Sequence, residues 1–504
     1  MSLTILDILL GAVGVLLLHL IVSRNKTKLP LPPGPKGLPI LGNVIDMPTS
    51  HEWLKFIDWS KKWGTLLTVS TLLCYADNAL SGDIVSVTLL GQTIVILGSA
   101  THAVELLEKR SSNYSDRPKL IMGGEIVGWD QTLALTPYSE RFREYRRFFH
   151  RFIGNRTNTM RFHPLVEKEM HNFLRRLQRA PDELAKHIRH TAGTIILTMS
   201  HGYKVHEESD SYLELVTVAI DQFTASTSPG AFLVDVLPAL RYVPKWFPGA
   251  GFQKTADIWR KNLTDMTEIP FKFVQEQMRA GTVIPNFTSG LLESEKLDAQ
   301  KVHNIKWSAA SLYSGGADTT VSAIYGFFLA MTLFPEAQRE AQAEIDAVIG
   351  QGRLPTLEDR DKLPYVEALI KEVLRFNPVA PLVMIRKFLH DPAVYEDPMI
   401  FKPSRYLASE GKQPEQDPKV WCFGFGRRVC PGQYLADVSV WLSCAMTLAA
   451  FDISHVVENG KVVEVENAYL SGTISHPKPF RCALKPRSSK AEALILAADE
   501  YRDS

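Results

Sequence analysis

Cys430 sits in the run Phe423-Gly424-Phe425-Gly426-Arg427-Arg428-Val429-Cys430-Pro431-Gly432, immediately before a strongly helical stretch that starts at Gln433. A thiolate near a helix N-terminus is stabilised by the unpaired amides and the dipole there, which suits it to ligate a metal. Gly426 and Gly432 permit tight turns and close approach of backbone to a flat cofactor, and Arg428 offers a charge-assisted bond to a carboxylate. A zinc site would need more ligands close by, yet Cys422 is the one other local candidate and no Cys/His pair completes a set of four. A lone thiolate suits iron in a haem, where it pushes electron density towards O–O cleavage.

A second run, Gly315-Gly316-Ala317-Asp318-Thr319-Thr320, lies in a long helical pattern and makes poor sense as structure alone, because each helical glycine costs about 1 kcal/mol. Bare backbone leaves room for a diatomic ligand and a flat ring, and Thr319 can bond back to a carbonyl and open the helix locally. Proton delivery to dioxygen needs a donor chain, which an acid beside an alcohol can supply through water. Further on, Glu372-Val373-Leu374-Arg375 sets a carboxylate and a guanidinium on one helical face, a spacing common by chance.

The pattern Phe423-x-x-Gly426-x-Arg428-x-Cys430-x-Gly432 resembles the cysteine loop of the cytochromes P450, and the chain resembles fungal microsomal members, in particular the O-methylsterigmatocystin oxidoreductase group, as far as about Lys485. This resemblance implies that Cys430 is the axial ligand of the iron of haem b (iron protoporphyrin IX), with Phe423, Gly426, Arg428 and Gly432 around the cofactor. It also implies proton relay by Asp318 and oxygen-protonation geometry by Thr319. With Phe401-Lys402-Pro403-Ser404-Arg405-Tyr406 following, it implies a buried network of Glu372, Arg375 and Arg405 that braces the cysteine loop. The family's Trp-x-x-x-Arg, both residues of which touch haem propionates, reads here as Phe142 and Arg146, so Arg146 is expected at a propionate without a Trp N–H beside it. Arg386 is expected as a further propionate contact.

The elements that must position these groups are mostly helical: Tyr138–Ile153, His163–Leu177, Leu184–His201, Tyr212–Ser226, Lys254–Arg279, Ala299–Phe334, Glu336–Ile349, Tyr365–Phe376 and Gln433–Phe451. Strand-like Ile84–Leu89 and Thr93–Leu97 predict a hairpin around Leu90-Gly91-Gln92. The fold class is therefore mainly α with a small β-sheet (α+β), P450-like, in one large haem-thiolate domain over residues 44–504. Ahead of it, Leu3–Val22 holds 15 Ala, Val, Ile or Leu residues in 20, long enough for a bilayer core, so residues 1–23 are predicted as a transmembrane anchor. Arg24, Lys26 and Lys28 follow the span and no basic residue precedes it, which places the rest of the chain in the cytosol. The sequons at Asn113, Asn155, Asn262 and Asn286 would then face a compartment without glycosylation, and the Pro/Gly-rich residues 24–43 form a stiff hinge. Two places depart from the family pattern. Residues 65–82 read as a non-native insertion and a strand and hairpin as missing after about Lys387, with a genuine loop insertion and a trimmed sheet as the alternatives.

Charge excludes one class of function: 56 Lys and Arg balance 55 Asp and Glu in 504 residues, which leaves a nucleic-acid binder without its basic surface. Five cysteines, an odd and sparse set, fit a reducing compartment. The expected activity is a monooxygenase of the endoplasmic reticulum membrane that puts one atom of dioxygen into a small apolar substrate, in secondary metabolism or xenobiotic oxidation. Its electrons would come from NADPH through NADPH–cytochrome P450 reductase, with cytochrome b5 as a further donor. The alternatives are a reductase-independent haem-thiolate isomerase, dehydratase or peroxygenase, which the Asp318-Thr319 pair disfavours, and a catalytically impaired haem- or lipid-binding protein.

Overall fold

The structure, a computed structural model, describes residues 30–48, 52–64 and 84–497 apart from 40, 229, 295 and 382, together with 11, 14 and 15. The expected anchor falls almost wholly outside the described residues, as does the 65–82 segment. Among the described residues no single helix is long and apolar enough to cross a membrane.

Helix α1 (Glu52–Gly64) buries Phe56 and Trp59 against Val85, Val87 and Ile96 of a hairpin formed by β1 (Ile84–Leu89) and β2 (Gln92–Leu97). Ile84 pairs with Leu97 and Leu89 with Gln92, so the turn is the two residues Leu90 and Gly91, both with positive φ (45° and 89°). That geometry matches the right-handed twist of the strands and puts Gln92, expected in the turn, into the ladder.

The helices start where the sequence supplies caps. Ser139 accepts from Phe142 N–H to open α2 (Glu140–Ile153), which carries Glu140 in its first turn and His150 and Arg151 in its last, as the helix dipole favours. Its buried face is Phe142, Tyr145, Phe148, Phe149 and Ile153. Then come α3 (His163–Arg179), α4 (Leu184–His201), α5 (Ser211–Thr227, capped by Asp210) and α6 (Gly251–Ala280).

One unbroken helix was the expectation for 299–334, but the structure divides it into α7 (Ala299–Ala317) and α8 (Thr319–Leu333) at Asp318, whose φ of −120° and ψ of −34° lie off the helix. The cause is local: Gly315 and Gly316 weaken the turn, and Thr319 Oγ1 donates to Gly315 O at 2.8 Å. α9 (Pro335–Val348) and α10 (Pro364–Phe376) each begin on a proline, tolerated where no amide bond is needed.

A short helix, α11 (Val383–Leu389), follows, and Ile385, Phe388 and Leu389 bury themselves against Tyr395, Tyr406, Trp421 and Phe425. Among the described residues no strand lies between 377 and 391. Finally α12 (Gln433–Ala450) runs into β3 (Phe451–His455), which pairs antiparallel with β6 (Cys482–Pro486), while β4 (Val457–Glu458) pairs with β5 (Lys461–Val462). The architecture is mostly helical with small two-stranded sheets. α7 and α8 run through the main core, packed on α2, α4, α10 and α12.

Candidate active site

A cavity of about 210 Å³ opens between the broken helix and the start of α12. Cys430, Pro431 and Gly432 form one part of its wall, and Gly315, Gly316 and Thr319 another. The cysteine loop is set by backbone geometry that demands glycine at two points. Gly424 and Gly426 have φ of 80° and 52°, and a Cβ on Gly426 would lie 2.1 Å from Leu107 O. The loop closes with Cys430 N–H donating to Phe423 O at 2.8 Å, so Phe423 serves the loop through its carbonyl.

Gly432 is different. Its φ is −97°, and a Cβ there would meet nothing closer than Ile153 Cδ1 at 3.8 Å, so the turn does not require glycine. The missing side chain leaves open space on the cavity wall beside the thiol, which fits a flat group stacked against the loop. Burial pushes the Cys430 thiol up, opposed by a hydrogen bond from Gly432 N–H and by the charge of Arg146. Among the described cysteines only Cys430 lines the cavity; burial drives Cys422 and Cys444 well up and Cys482 up to about 12.

Three guanidiniums, Arg117, Arg146 and Arg428, reach the cavity without forming an ion pair with any described carboxylate. Arg146 donates to Val429 O (2.6 Å), Arg117 to Ala134 O (3.1 Å), and Arg428 to Ser115 O (2.8 Å), Leu133 O (3.3 Å) and Thr136 O (2.8 Å). Burial lowers Arg146 and pushes Arg428 down to about 10, with Arg117 and Arg146 adding to the effect and Asp116 opposing it. Cations crowded together at a cavity, with carbonyls as their only described hydrogen-bond acceptors, fit a dianionic rim such as the two propionates of haem. Phe142 takes a role that its residue type did not announce: its ring lies 3.9 Å beneath the Arg428 guanidinium, so it supports that cation by its face.

On the opposite wall Thr319 faces the cavity, whereas Asp318 does not line it. The Asp318 carboxylate is turned to His476, with Nε2 2.9 Å from Oδ2. The expected acid and alcohol are thus adjacent in sequence but aimed at different places in the structure. Arg386 likewise does not line the cavity; it sits on α11 with Tyr469 as its electrostatic neighbour, because the helix in this segment directs it elsewhere.

Glu372, Arg375 and Arg405 do come together, with their side chains fully buried. Arg375 grips both Glu372 oxygens (2.7 and 2.8 Å), Arg405 Nε reaches Oε1 (3.2 Å), and Lys402 N–H donates to the same oxygen (2.8 Å). Arg375 also ties down Leu389 O and Pro398 O, and its guanidinium lies 5.3 Å from the Tyr395 ring, which packs edge-on to Trp421 just before the cysteine loop. Sequence reasoning missed Arg117 and His476. Neither stands in a periodic pattern, and each lies in a loop far along the chain from the residues it joins.

Comparison with known proteins agrees with this geometry. A sequence profile of the family described as "Cytochrome P450" matches residues 32–391 and 382–483. The chain is 52% identical to "Cytochrome P450 monooxygenase 208" of Postia placenta across 95% of both chains. It is 44% identical to "Cytochrome P450 monooxygenase claR" of Ampulloclitocybe clavipes, covering 99% of this chain and 94% of that one. With "Cytochrome P450 monooxygenase ppsD" of Aspergillus oryzae it shares 38% identity over 98% and 96%. The two profile matches overlap at 382–391, on the short helix where the sequence reads as lacking a strand and hairpin.

Proposed function

The chain belongs to the cytochrome P450 family and is a P450 monooxygenase, and from that premise we propose that it works at the endoplasmic reticulum membrane, taking NADPH electrons from a reductase to oxygenate a small apolar substrate of fungal secondary metabolism. In the balanced reaction a substrate C–H bond and dioxygen, with one NADPH and one proton, give an alcohol, water and NADP⁺. Haem, when bound, supplies oxygen activation and electron storage. Cys430 would give the thiolate; burial opposes its deprotonation, and the Gly432 amide and Arg146 offset part of that. Arg117, Arg146 and Arg428 would hold the propionates, and Gly432 would leave the ring its space. Thr319 holds a hydroxyl at the cavity wall, anchored on Gly315 O, where it can orient water; Asp318 supplies protons from behind it. Membrane association is supported by the apolar residues 3–22 and by exposed Leu233, Tyr242 and Trp246 on the domain itself.

The single observation that carries this reading is the pairing, in one cavity, of a lone cysteine with guanidiniums that form no ion pair with a described carboxylate. Carbon monoxide difference spectra of the reduced protein test it. The wild type should show the red-shifted Soret band of thiolate-ligated haem and Cys430→Ala should lose it; a band retained in the variant would overturn the assignment. Topology is tested by glycosylation at exposed Asn113, which should remain unmodified; Asn286 cannot report, since it is buried and bonded to Ile284 O and Ser289 N–H.

A second reading, a chain impaired in haem loading, is favoured by the break in the profile match at 382–391. Grafting a strand and hairpin from a relative after Arg386 should raise haem occupancy if this reading holds, and full occupancy in the unmodified chain would dismiss it.

A further inference from the structure

The helix break turns Asp318 away from the cavity and onto His476, and the surroundings of that pair are more than a stray contact. Both side chains are largely buried, 16% exposed for His476 and 11% for Asp318. The imidazole belongs to the segment 469–477, which is pinned from three sides. Ser322 Oγ of α8 donates to Ser475 O (2.5 Å), Ser475 N–H donates to Val379 O (2.8 Å), and the hydroxyls of Thr227 on α5 and Thr473 lie 2.8 Å apart.

A second, small void of about 10 Å³ is lined by Asp318, Arg189, Thr217 and Tyr313. That is about the space a single water needs, and Arg189 Nε and the Tyr313 hydroxyl are both buried with no hydrogen-bond partner. Asp221 of α5 faces the same region: burial holds its carboxyl above the usual range and Asp318 adds to this, while Arg189 and His476 oppose it.

We propose that His476 is the residue that holds Asp318 out of the cavity and returns a proton to it, with a water in the small void joining the pair to Arg189. In this step Asp318 passes a proton towards the cavity, the protonated imidazole of His476 gives its Nε2 proton to the carboxylate, and the neutral imidazole is re-protonated by hydronium from solvent, which leaves water. No other bond forms or breaks. His476 is a positioning residue, since it touches neither substrate nor cofactor. The proposal rests on the reading of Asp318 as the acid of the proton relay.

The test uses the full chain and two readouts. In urea unfolding of the haem-free protein, Asp318→Asn and His476→Ala should each lower the midpoint and the double variant should lower it no further; additive losses would overturn the pair. In the reductase-reconstituted enzyme, turning over NADPH without added substrate, dioxygen ends as peroxide when protons are short and as water when they are not. His476→Ala should raise the share of electrons recovered as hydrogen peroxide at least threefold with the Soret spectrum unchanged. His476→Gln, which keeps a donor but cannot pass on a proton, should recover the unfolding midpoint and still overproduce peroxide; wild-type peroxide in that variant would overturn the re-protonation role. If Asp318→Asn leaves peroxide unchanged, the relay reading of Asp318 fails; if it raises peroxide and His476→Ala does not, only the present proposal fails.

Discussion

Arg375 and Arg405 in the Glu372 network, and Arg146 and Arg428 at the cavity, are arginines in protein surroundings that receive opposite treatment. The first two are fully buried and share Glu372, with Glu415 a second partner for Arg405 at 2.7 Å. The second two are half-buried and donate only to backbone carbonyls, Arg428 resting also on the Phe142 ring, and burial lowers the pKa of both. Paired charges lock neighbouring segments together, because separating them would strand a cation in the interior. Unpaired charges at a cavity mouth cost the free protein something and are compensated when an anion arrives. The difference separates arginines that hold the fold from arginines that hold a ligand.

Glu372→Ala should break the comparison most severely. It strands Arg375 beside carbonyls alone and frees Lys402 N–H, a loss of about 3 to 5 kcal/mol, which rivals the whole stability of many domains. Soluble yield and haem content should both collapse, and a urea midpoint within error of wild type would show the network to be ornamental.

Next in size is acid sensitivity. Burial pushes His201 down to about 3, and His390 also to about 3 with Arg386 and Arg375 adding to the effect. Between about pH 6.5 and 3 the unfolded chain binds protons that the folded chain refuses, so stability is unaffected by these groups above pH 6.5 and falls as pH drops below it. At pH 5 each should cost about 2 kcal/mol. Urea midpoints at pH 7.5 and pH 5.0 measure this, and His390→Gln should shrink the drop; an equal drop in the variant would remove His390 from the account.

What the sequence made legible follows the same division. The cysteine loop could be read because glycine, arginine and cysteine at fixed offsets each meet a distinct demand, as Gly426 against Leu107 and the cavity-facing Gly432 show. The Glu372 network was legible only through resemblance, since a carboxylate and guanidinium three residues apart occur on many helices. The break at Asp318 was foreshadowed by Gly315, Gly316 and Thr319, but its direction was not, because His476 lies 158 residues away and no local rule couples them. Phe142 looked like the loss of a donor until its ring was seen beneath Arg428. Arg386 lies off the cavity wall in a segment that forms a short helix, and position in a motif says nothing of orientation there.

The smallest effect tests the comparison most directly. Arg146→Met removes a half-buried cation that makes one described hydrogen bond, to Val429 O, and adds an apolar side chain of similar length. In the haem-free chain the lost bond, about 1 kcal/mol, is offset by relief from desolvation and from repulsion with Arg428, so the urea midpoint should stay within about 1 kcal/mol of wild type. Haem affinity should nevertheless fall roughly tenfold, the value of one charge-assisted contact. Glu372→Ala should show the reverse order, with stability lost first and haem content following it. A variant at position 146 that unfolds as readily as the one at position 372 would place both arginine groups in the same structural role, and the cavity mouth would lose its claim to be waiting for an anion.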